Sequence, residues 1–414
     1  MTKKLYLIFI GLSILNITSV FAQEDDYADM YSFDEPKKLQ FGGYLKYLQT
    51  VNISDLSNTP LPSGAMLEDG QWLTDNLIHN RMNLEWTISN QLTFTASARN
   101  RMFYGETINA FTPDLYERLY IPDQGLINMS WTWGKGDSYL INTTLDRLYL
   151  NWENGSTQVR VGRQRINWGI ASAWNPNDIF NAYAYFDFDY EERAGTDAVL
   201  IRQYLGETSS IEFASSISDD FDEITMAGLF RFNKWEYDFQ ALAGKSFTDL
   251  VVGAGWSGEI KGASFKGEMT YFHPYKGDET PTFIAVLSAD YTFPNTLNLM
   301  AESIFNTNPI DISGLEGLNG GFLIAPVTAK TLTYTHYSQL LGASMQVTPL
   351  FTSGVSGLIN SDGSWYIGPQ ETISLTDNLE LLLTAQLFGG PEGSVFAPSG
   401  EFGGLVFWRL KWSY

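Results

Sequence analysis

Side chains along most of this 414-residue chain alternate between apolar and polar with a period of two. Leu92, Phe94, Ala96 and Ala98 alternate with Thr93, Thr95, Ser97 and Arg99, and Trp235, Tyr237, Phe239 and Ala241 with Glu236, Asp238 and Gln240. Leu379, Leu381, Leu383 and Ala385 do the same against Glu380, Thr384 and Gln386. Successive side chains of an extended strand point to opposite faces, so each run is a strand with one apolar and one polar face. Runs of this kind recur from 39–53 to 402–414, and one of them spans 156–168. They number about eighteen, with sixteen as the alternative count; Asn128 to Trp133 reads as a further short strand. Every second connection is a tight turn, as at Ser89-Asn90-Gln91, Asn154-Gly155, Lys261-Gly262 and Thr376-Asp377-Asn378. The connections between them vary widely and are longest at 306–335. A soluble sandwich has no reason to keep that parity, whereas a transmembrane barrel has short periplasmic turns on one side and longer extracellular loops on the other. The expected fold is therefore all-β: a transmembrane antiparallel barrel over residues 39–414, with apolar faces toward lipid and polar faces toward the lumen.

The two ends agree with an exported bacterial protein. Lys3 and Lys4 precede a mostly apolar run from Leu5 to Val20, and Val20-Phe21-Ala22 sets up a cut after Ala22. That is the pattern of a secretory signal at 1–22. Ser13, Asn16, Thr18 and Ser19 break the run, so it is a poor membrane anchor. Residues 23–38, acidic and poor in aliphatics, read as a flexible periplasmic leader. At the other end Val406, Trp408, Leu410, Trp412 and the last residue, Tyr414, share one face. Outer-membrane barrels resemble this, since a terminal aromatic strand is their usual assembly signal. The chain has no cysteine, which favours a bacterial over a eukaryotic secreted protein. Its net charge of −22 excludes nucleic acid as a partner, because little would neutralise phosphates. Outer-membrane lipid, lipopolysaccharide and small hydrophilic solutes are the expected partners; the oligomeric state is not readable.

Catalytic chemistry has little to build on. His79 lies with Arg81, Asn83 and Glu85 on a polar strand face, while His273 and His336 lie at strand ends. No spacing forces a Ser/His or Asp/His pair, so no catalytic residue, cofactor or resident metal is expected. The acidic clusters around Asp187 and Asp219 lack the glycine and spacing of a calcium loop and read as hydrated loop tips.

One segment stands apart. Gly162, Arg163 and Gln164 end a strand, Trp168-Gly169 follows, then Asn175-Pro176-Asn177-Asp178, and finally Arg193 and Asp197 within Glu191-Glu192-Arg193-Ala194-Gly195-Thr196-Asp197-Ala198. This pattern, together with Leu145-Asp146-Arg147-Leu148-Tyr149 and Gly389-Gly390-Pro391-Glu392-Gly393, resembles a largely uncharacterised group of porin-like outer-membrane barrels. The resemblance covers the middle and end of the chain, and implies fold, location and a channel role without naming a solute. Independently of it, loop 169–194 with Trp174, Phe180 and Tyr183 is too aromatic to lie in water. It serves either as a constriction in the pore or as a packed cap on the rim, with Asn175-Pro176 and Asp178 forming an Asx-type turn.

Strand-by-strand parity divides the inward charges. Lys46, Arg81, Arg99, Arg101, Arg147, Arg160, Arg409 and Lys411 form a basic wall across the closing strands, with Glu85 as exception. Glu212, Glu236, Asp238, Glu259, Glu268, Asp290, Glu302 and Glu380 form an acidic wall opposite, with Arg231 and Lys266 as exceptions. Opposed walls surrounded by low dielectric focus a transverse field. The function expected is a porin-like channel for small hydrophilic solutes, with a surface barrel for partner binding or polymer export, or less readily a barrel hydrolase, as alternatives.

Overall fold

The computed structural model describes residues 38–53, 72–121, 123, 125–182, 195–277, 279–310, 327–398, 400 and 402–414. The signal at 1–22, most of the leader and Arg193 lie outside these. The first elements are β1 (Leu39–Asn52), β2 (Leu73–Ser89), β3 (Leu92–Gly105), α1 (Glu106–Phe111), α2 (Pro113–Tyr120), β4 (Ser130–Gly136) and β5 (Tyr139–Asn154). There follow β6 (Thr157–Gln164), β7 (Thr196–Tyr204), β8 (Ser210–Ser216), β9 (Thr225–Lys234), β10 (Tyr237–Ser246), β11 (Asp249–Ile260) and β12 (Ala263–Pro274). The last are β13 (Thr282–Thr292), β14 (Leu297–Asn306), β15 (Tyr337–Thr348), β16 (Phe351–Asn360), β17 (Trp365–Thr376), β18 (Leu379–Gly389) and β19 (Gly403–Ser413).

Eighteen of these strands, all but β4, pair antiparallel with their sequence neighbours, and β19 returns to β1 to close the ring. Closure leaves no strand edge in the wall, which is the condition for a sheet to stand in hydrocarbon. The nineteenth strand, β4, is the short one expected near 128–133; it folds back on β5 beyond the end of β6.

The outer face is apolar. Leu45, Ile78, Met102, Leu150, Ile201, Phe213, Val252, Leu287, Leu341, Val355, Leu383 and Val406 are all exposed on successive strands. Trp86, Trp152, Trp235, Phe293 and Trp412 cluster toward the tight turns, where aromatic girdles sit. The few polar side chains on this face satisfy one another. Trp133 Nε1 donates to Thr143 Oγ1 at 2.9 Å, Thr143 to Asn100 Oδ1 at 2.8 Å, and Asn100 to Asn80 Oδ1 at 3.3 Å.

The terminal aromatic takes part in closure. Tyr414 exchanges backbone hydrogen bonds with Gly43 at 2.9 and 3.1 Å, and its hydroxyl donates to Arg81 O at 3.1 Å. Asn80 Nδ2 donates to that same hydroxyl at 3.0 Å.

Two expectations need correction. The strand expected over 156–168 ends at Gln164, because residues 165–168 leave the wall and turn inward. The inner face is not polar throughout. Leu200, Leu229, Leu242, Val251, Phe272, Ile284, Ile304, Leu340 and Leu358 face inward on β7 to β16 and form a buried core with Trp168, Trp174 and Ile179.

A side chain at Gly43 would place its Cβ 2.1 Å from Arg81 O, inside the β1–β2 pairing and beside the β19–β1 seam where Gly43 bonds Tyr414. Gly43→Val is expected to abolish the compact, fast-migrating band of unheated protein on a denaturing gel. An unchanged band would show that closure tolerates the clash.

Candidate functional site in the barrel lumen

The predicted basic residues share one arc. Lys411, Lys46, His79 and Arg101 stand opposite one another across β19, β1, β2 and β3, and Arg81 lies directly opposite Arg99. Like charges facing across strands are destabilising, so the arc needs compensation. Part comes from Asp146, which the sequence reading did not place inside. A register shift makes it the extra residue of a β-bulge in β5. The bulge brings its carboxylate to 2.7 Å from Arg81 Nη1 and 3.7 Å from Arg147 Nη1. Aromatic faces supply more: Lys46 and Lys411 lie 5.5 and 4.9 Å from the Tyr44 ring centre, and Arg160 lies 4.9 Å from that of Tyr149. Arg101 donates to Asn142 Oδ1 at 3.2 Å and Thr144 Oγ1 at 3.1 Å. His79 is fully buried among these cations, edge-on to Tyr44, and neither ring nitrogen has a hydrogen-bond partner among the described residues. Arg409, at the end of the arc, pairs with Glu380 at 2.9 Å.

The loop after β6 occupies the opposite arc. Its backbone, not its side chains, makes the decisive contacts. Ile170, Ala171 and Asn177 donate their N–H groups to the Glu268 carboxylate, at 2.7 Å for Ala171 and 3.0 Å for Asn177. Ser172, Ala173 and Trp174 donate theirs to Glu302, at 2.9, 3.1 and 2.7 Å. The Trp168 indole N–H donates to Glu212 at 3.1 Å, and Gln240 reaches the Trp168 carbonyl at 2.7 Å. Asn177 fills a slot between β11 and β12, donating to Ala254 O and accepting from Thr270. The turn at Asn175-Pro176 is closed by Asp178 N on Asn175 O at 3.1 Å, a backbone bond in place of the expected side-chain one. Trp168 and Trp174 then pack on the inward aliphatics. The described part of this loop, up to residue 182, packs inward against the barrel wall, and the rest of 169–194 lies outside the described residues.

The start of the motif braces the wall. Gly162 has φ +122, and a Cβ there would lie 2.2 Å from Leu148 O. Arg163 grips Asp197 of β7 with two bonds of 2.7 and 3.0 Å, pairs with Asp123 at 2.9 Å, and donates to Ile127 O at 2.7 Å. Gln164 is fully buried and donates to Ala198 O and Arg160 O. Asp123 and Ile127 belong to the loop after β3, so one arginine ties that loop to the wall where the inward loop begins.

The acidic wall is altered most. Glu236 is not on it; with φ +64 it sits beside Trp235 in the turn between β9 and β10, where the strand run read from alternation included it. Glu212, Glu268 and Glu302 do face inward but are sealed, none more than 1% exposed. Glu212 also binds Arg231, and Arg202 at 3.1 Å. Asp238, Glu259, Asp290 and Glu380 keep their inward positions near the tight turns. Asp123, Asp146 and Arg202 were missed. Only Asp146 left a trace in the sequence, two adjacent charges where strict alternation allows one.

No protein-family model and no curated protein matches the sequence. Among solved structures, the outer membrane protein OprD from Pseudomonas aeruginosa shares 9% identity at TM-score 0.54, over 90% of this chain and 93% of that one. Acinetobacter baumannii OccAB1 shares 10% at TM-score 0.54, over 90% and 96%. Pseudomonas aeruginosa OccK7 shares 8% at TM-score 0.53, over 91% and 98%. The chain thus has the fold of these barrels over nearly its whole described length.

Glu302→Ala removes the acceptor of three N–H groups, of which those of Ala173 and Trp174 lie on buried residues and cost about 1–3 kcal/mol each when left unpaired. The barrel is expected to persist while the loop loosens, with cleavage by chymotrypsin near Trp168 and Trp174 rising severalfold. Unchanged resistance would mean that apolar packing alone holds the loop.

Proposed function

We propose that this chain is an outer-membrane channel through which small hydrophilic solutes diffuse, and that its basic arc favours anions. What supports the reading is the closed ring of eighteen strands, with cations gathered on one arc of its inner face and the described part of the inward loop bonded to the other. A barrel of eighteen strands is wider than its own side chains can fill. The inward loop completes a core with the aliphatics of one arc and thereby narrows the path beside it. Tight turns then lie on the periplasmic side and long loops outside, in contact with lipopolysaccharide.

The transverse field is weaker than parity suggested, because Glu212, Glu268 and Glu302 are neutralised by donors and cations. Anion preference thus rests on the arc itself, where closely set cations in a low-dielectric surround raise the local anion concentration. His79, buried and ringed by Lys46, Arg81, Arg99 and Arg101, has no hydrogen-bond partner among the described residues to orient it as a base, which speaks for a channel over a hydrolase.

Reversal potential in planar bilayers under a salt gradient tests the reading. Converting Arg81, Arg99 and Arg101 to Glu is expected to move it from the anion side of zero to the cation side. Asp146→Asn, which removes one negative charge beside Arg81 and Arg147, is expected to move the native value further toward anions. If purified, folded protein passes no current, the channel reading fails; if it conducts and neither change moves the potential, the anion preference fails.

A further inference from the structure

The lipid-facing side of the barrel carries few charges, and the fold covers almost all of them. Arg163 and Asp197 stand opposite each other on β6 and β7, in parity with the exposed Val161 and Ile201. Asp123 and the Ile127 carbonyl close over this pair, so the loop after β3 seals it from lipid. Lys245, outward on β10, is buried beneath the Phe221 ring and donates to the carbonyls of Phe221 and Ile224. Lys234 is the last residue of β9 and lies at a tight turn. Glu371 differs from all of these. It sits within β17, opposite Ser353 on β16 and the exposed Leu383 on β18, so its side chain is on the lipid face.

Its surroundings leave the carboxylate undercompensated. Ser353 donates to Oε1 at 2.9 Å, while Oε2 has no hydrogen-bond partner among the described residues. The residue is half-buried, and rotation about its last side-chain bond turns either oxygen outward. By strand parity, the outward residues of β14 to β19 include no cation. A charge on the lipid face is costly, and an ionisable residue there marks a site whose partner brings what is missing. A second copy of this chain does not bring it, because the outward cations of the described strands are covered or lie at a turn.

Height narrows the choice. Glu371 is five residues above the end of β17 at Thr376, and Ser353 is two above the start of β16 at Phe351. At about 3.3 Å per residue and a tilt of about 40°, the pair stands on the order of 5–13 Å above the tight turns. The apolar band is about 25 Å tall, so this level belongs to the periplasmic leaflet, close to its headgroups. Pro369 and Ala385 lie just above the carboxylate and Gly357 beyond them, all short, beside the exposed Val355, Ile367 and Leu383. Short residues beside tall ones leave a furrow that an extended hydrocarbon chain can follow.

We propose that Glu371 and this furrow hold a phospholipid whose headgroup ends in a primary ammonium. The ammonium pairs with the carboxylate from below and supplies the donor that Oε2 lacks, while one acyl chain follows the furrow upward. A quaternary headgroup brings the same charge without an N–H donor, and an anionic one is repelled. The site requires only that the barrel stand in the membrane, so it is independent of whether the barrel conducts.

The full chain is folded into vesicles of equal parts phosphatidylethanolamine, phosphatidylcholine and phosphatidylglycerol and extracted in mild detergent. Native mass spectrometry then identifies the lipid that stays bound. Phosphatidylethanolamine is expected to be retained on the order of threefold over each of the others, as one partly exposed ion pair allows. Methylating its nitrogen stepwise is expected to lower retention with each N–H lost. Glu371→Gln, with folding checked by the compact band of unheated protein, is expected to bring the three lipids level. Glu259→Gln, a carboxylate near the turns on the inner face, is expected to leave the preference intact. Equal retention by native protein, a preference that survives Glu371→Gln, or an equal loss with Glu259→Gln overturns the inference. So does an oligomer that Glu371→Gln dissolves without changing bound lipid, since the occupant is then protein.

Discussion

The lumen is organised by six backbone N–H groups that have no strand to pair with. An irregular segment inside a barrel carries donors that a ladder would have satisfied, and each left buried and unpaired costs about 1–3 kcal/mol. Three of the six, on Ala173, Trp174 and Asn177, lie on buried residues, and leaving those unpaired would take a large share of a domain's stability of about 5–15 kcal/mol. Glu268 and Glu302 accept all six. The benefit is mutual, because a buried carboxylate without compensation costs several kcal/mol itself. Loop and wall each repair a defect that the other would have alone, and that is why the loop lies against this arc.

The same event explains the inward aliphatics. Leu229, Leu242, Val251, Ile284 and Ile304 would be wasted on a water-filled wall, yet they are buried against Trp168, Trp174 and Ile179. Three environments therefore act on the strands: lipid outside, water below, and a packed loop above. Only the first is continuous around the ring. The outward residues accordingly keep a clean apolar pattern, while inward residues change character along a single strand, as from Asp238 through Gln240 to Leu242 on β10.

This division sets what could be read from the sequence. Strand positions were legible almost throughout, because the lipid-facing side obeys one rule and tight turns punctuate it on one end. The end of β6 was not, since Arg165 to Trp168 continue the alternation while leaving the wall; their apolar side chains meet a loop core in place of lipid. Within the site, the basic residues were found by parity, because a cation on the inner face stays there whatever it touches. Parity fixes a face and says nothing of occupancy, so Glu268 and Glu302 read as pore charges although they are loop anchors. Glu236 was lost to the turn because a two-residue reversal interrupts alternation without changing composition. Asp146 needed the bulge, which is a property of pairing between β3 and β5 and not of either strand alone.

The segment from Gly162 to Asp178 connects these levels. Its first part reaches outward, where Arg163 holds Asp197 and the loop residues Asp123 and Ile127. Its second part reaches inward to Glu212, Glu268 and Glu302 on the far wall. A buried arginine with two carboxylate partners and two carbonyls fixes the point from which the inward loop departs, because removing any one partner leaves charge or donors uncompensated. The loop's far end is fixed by carboxylates 91 to 130 residues along the chain. A segment anchored at both ends on different walls cannot shift without breaking bonds at one of them, so its position inside the barrel is a property of the closed ring as a whole.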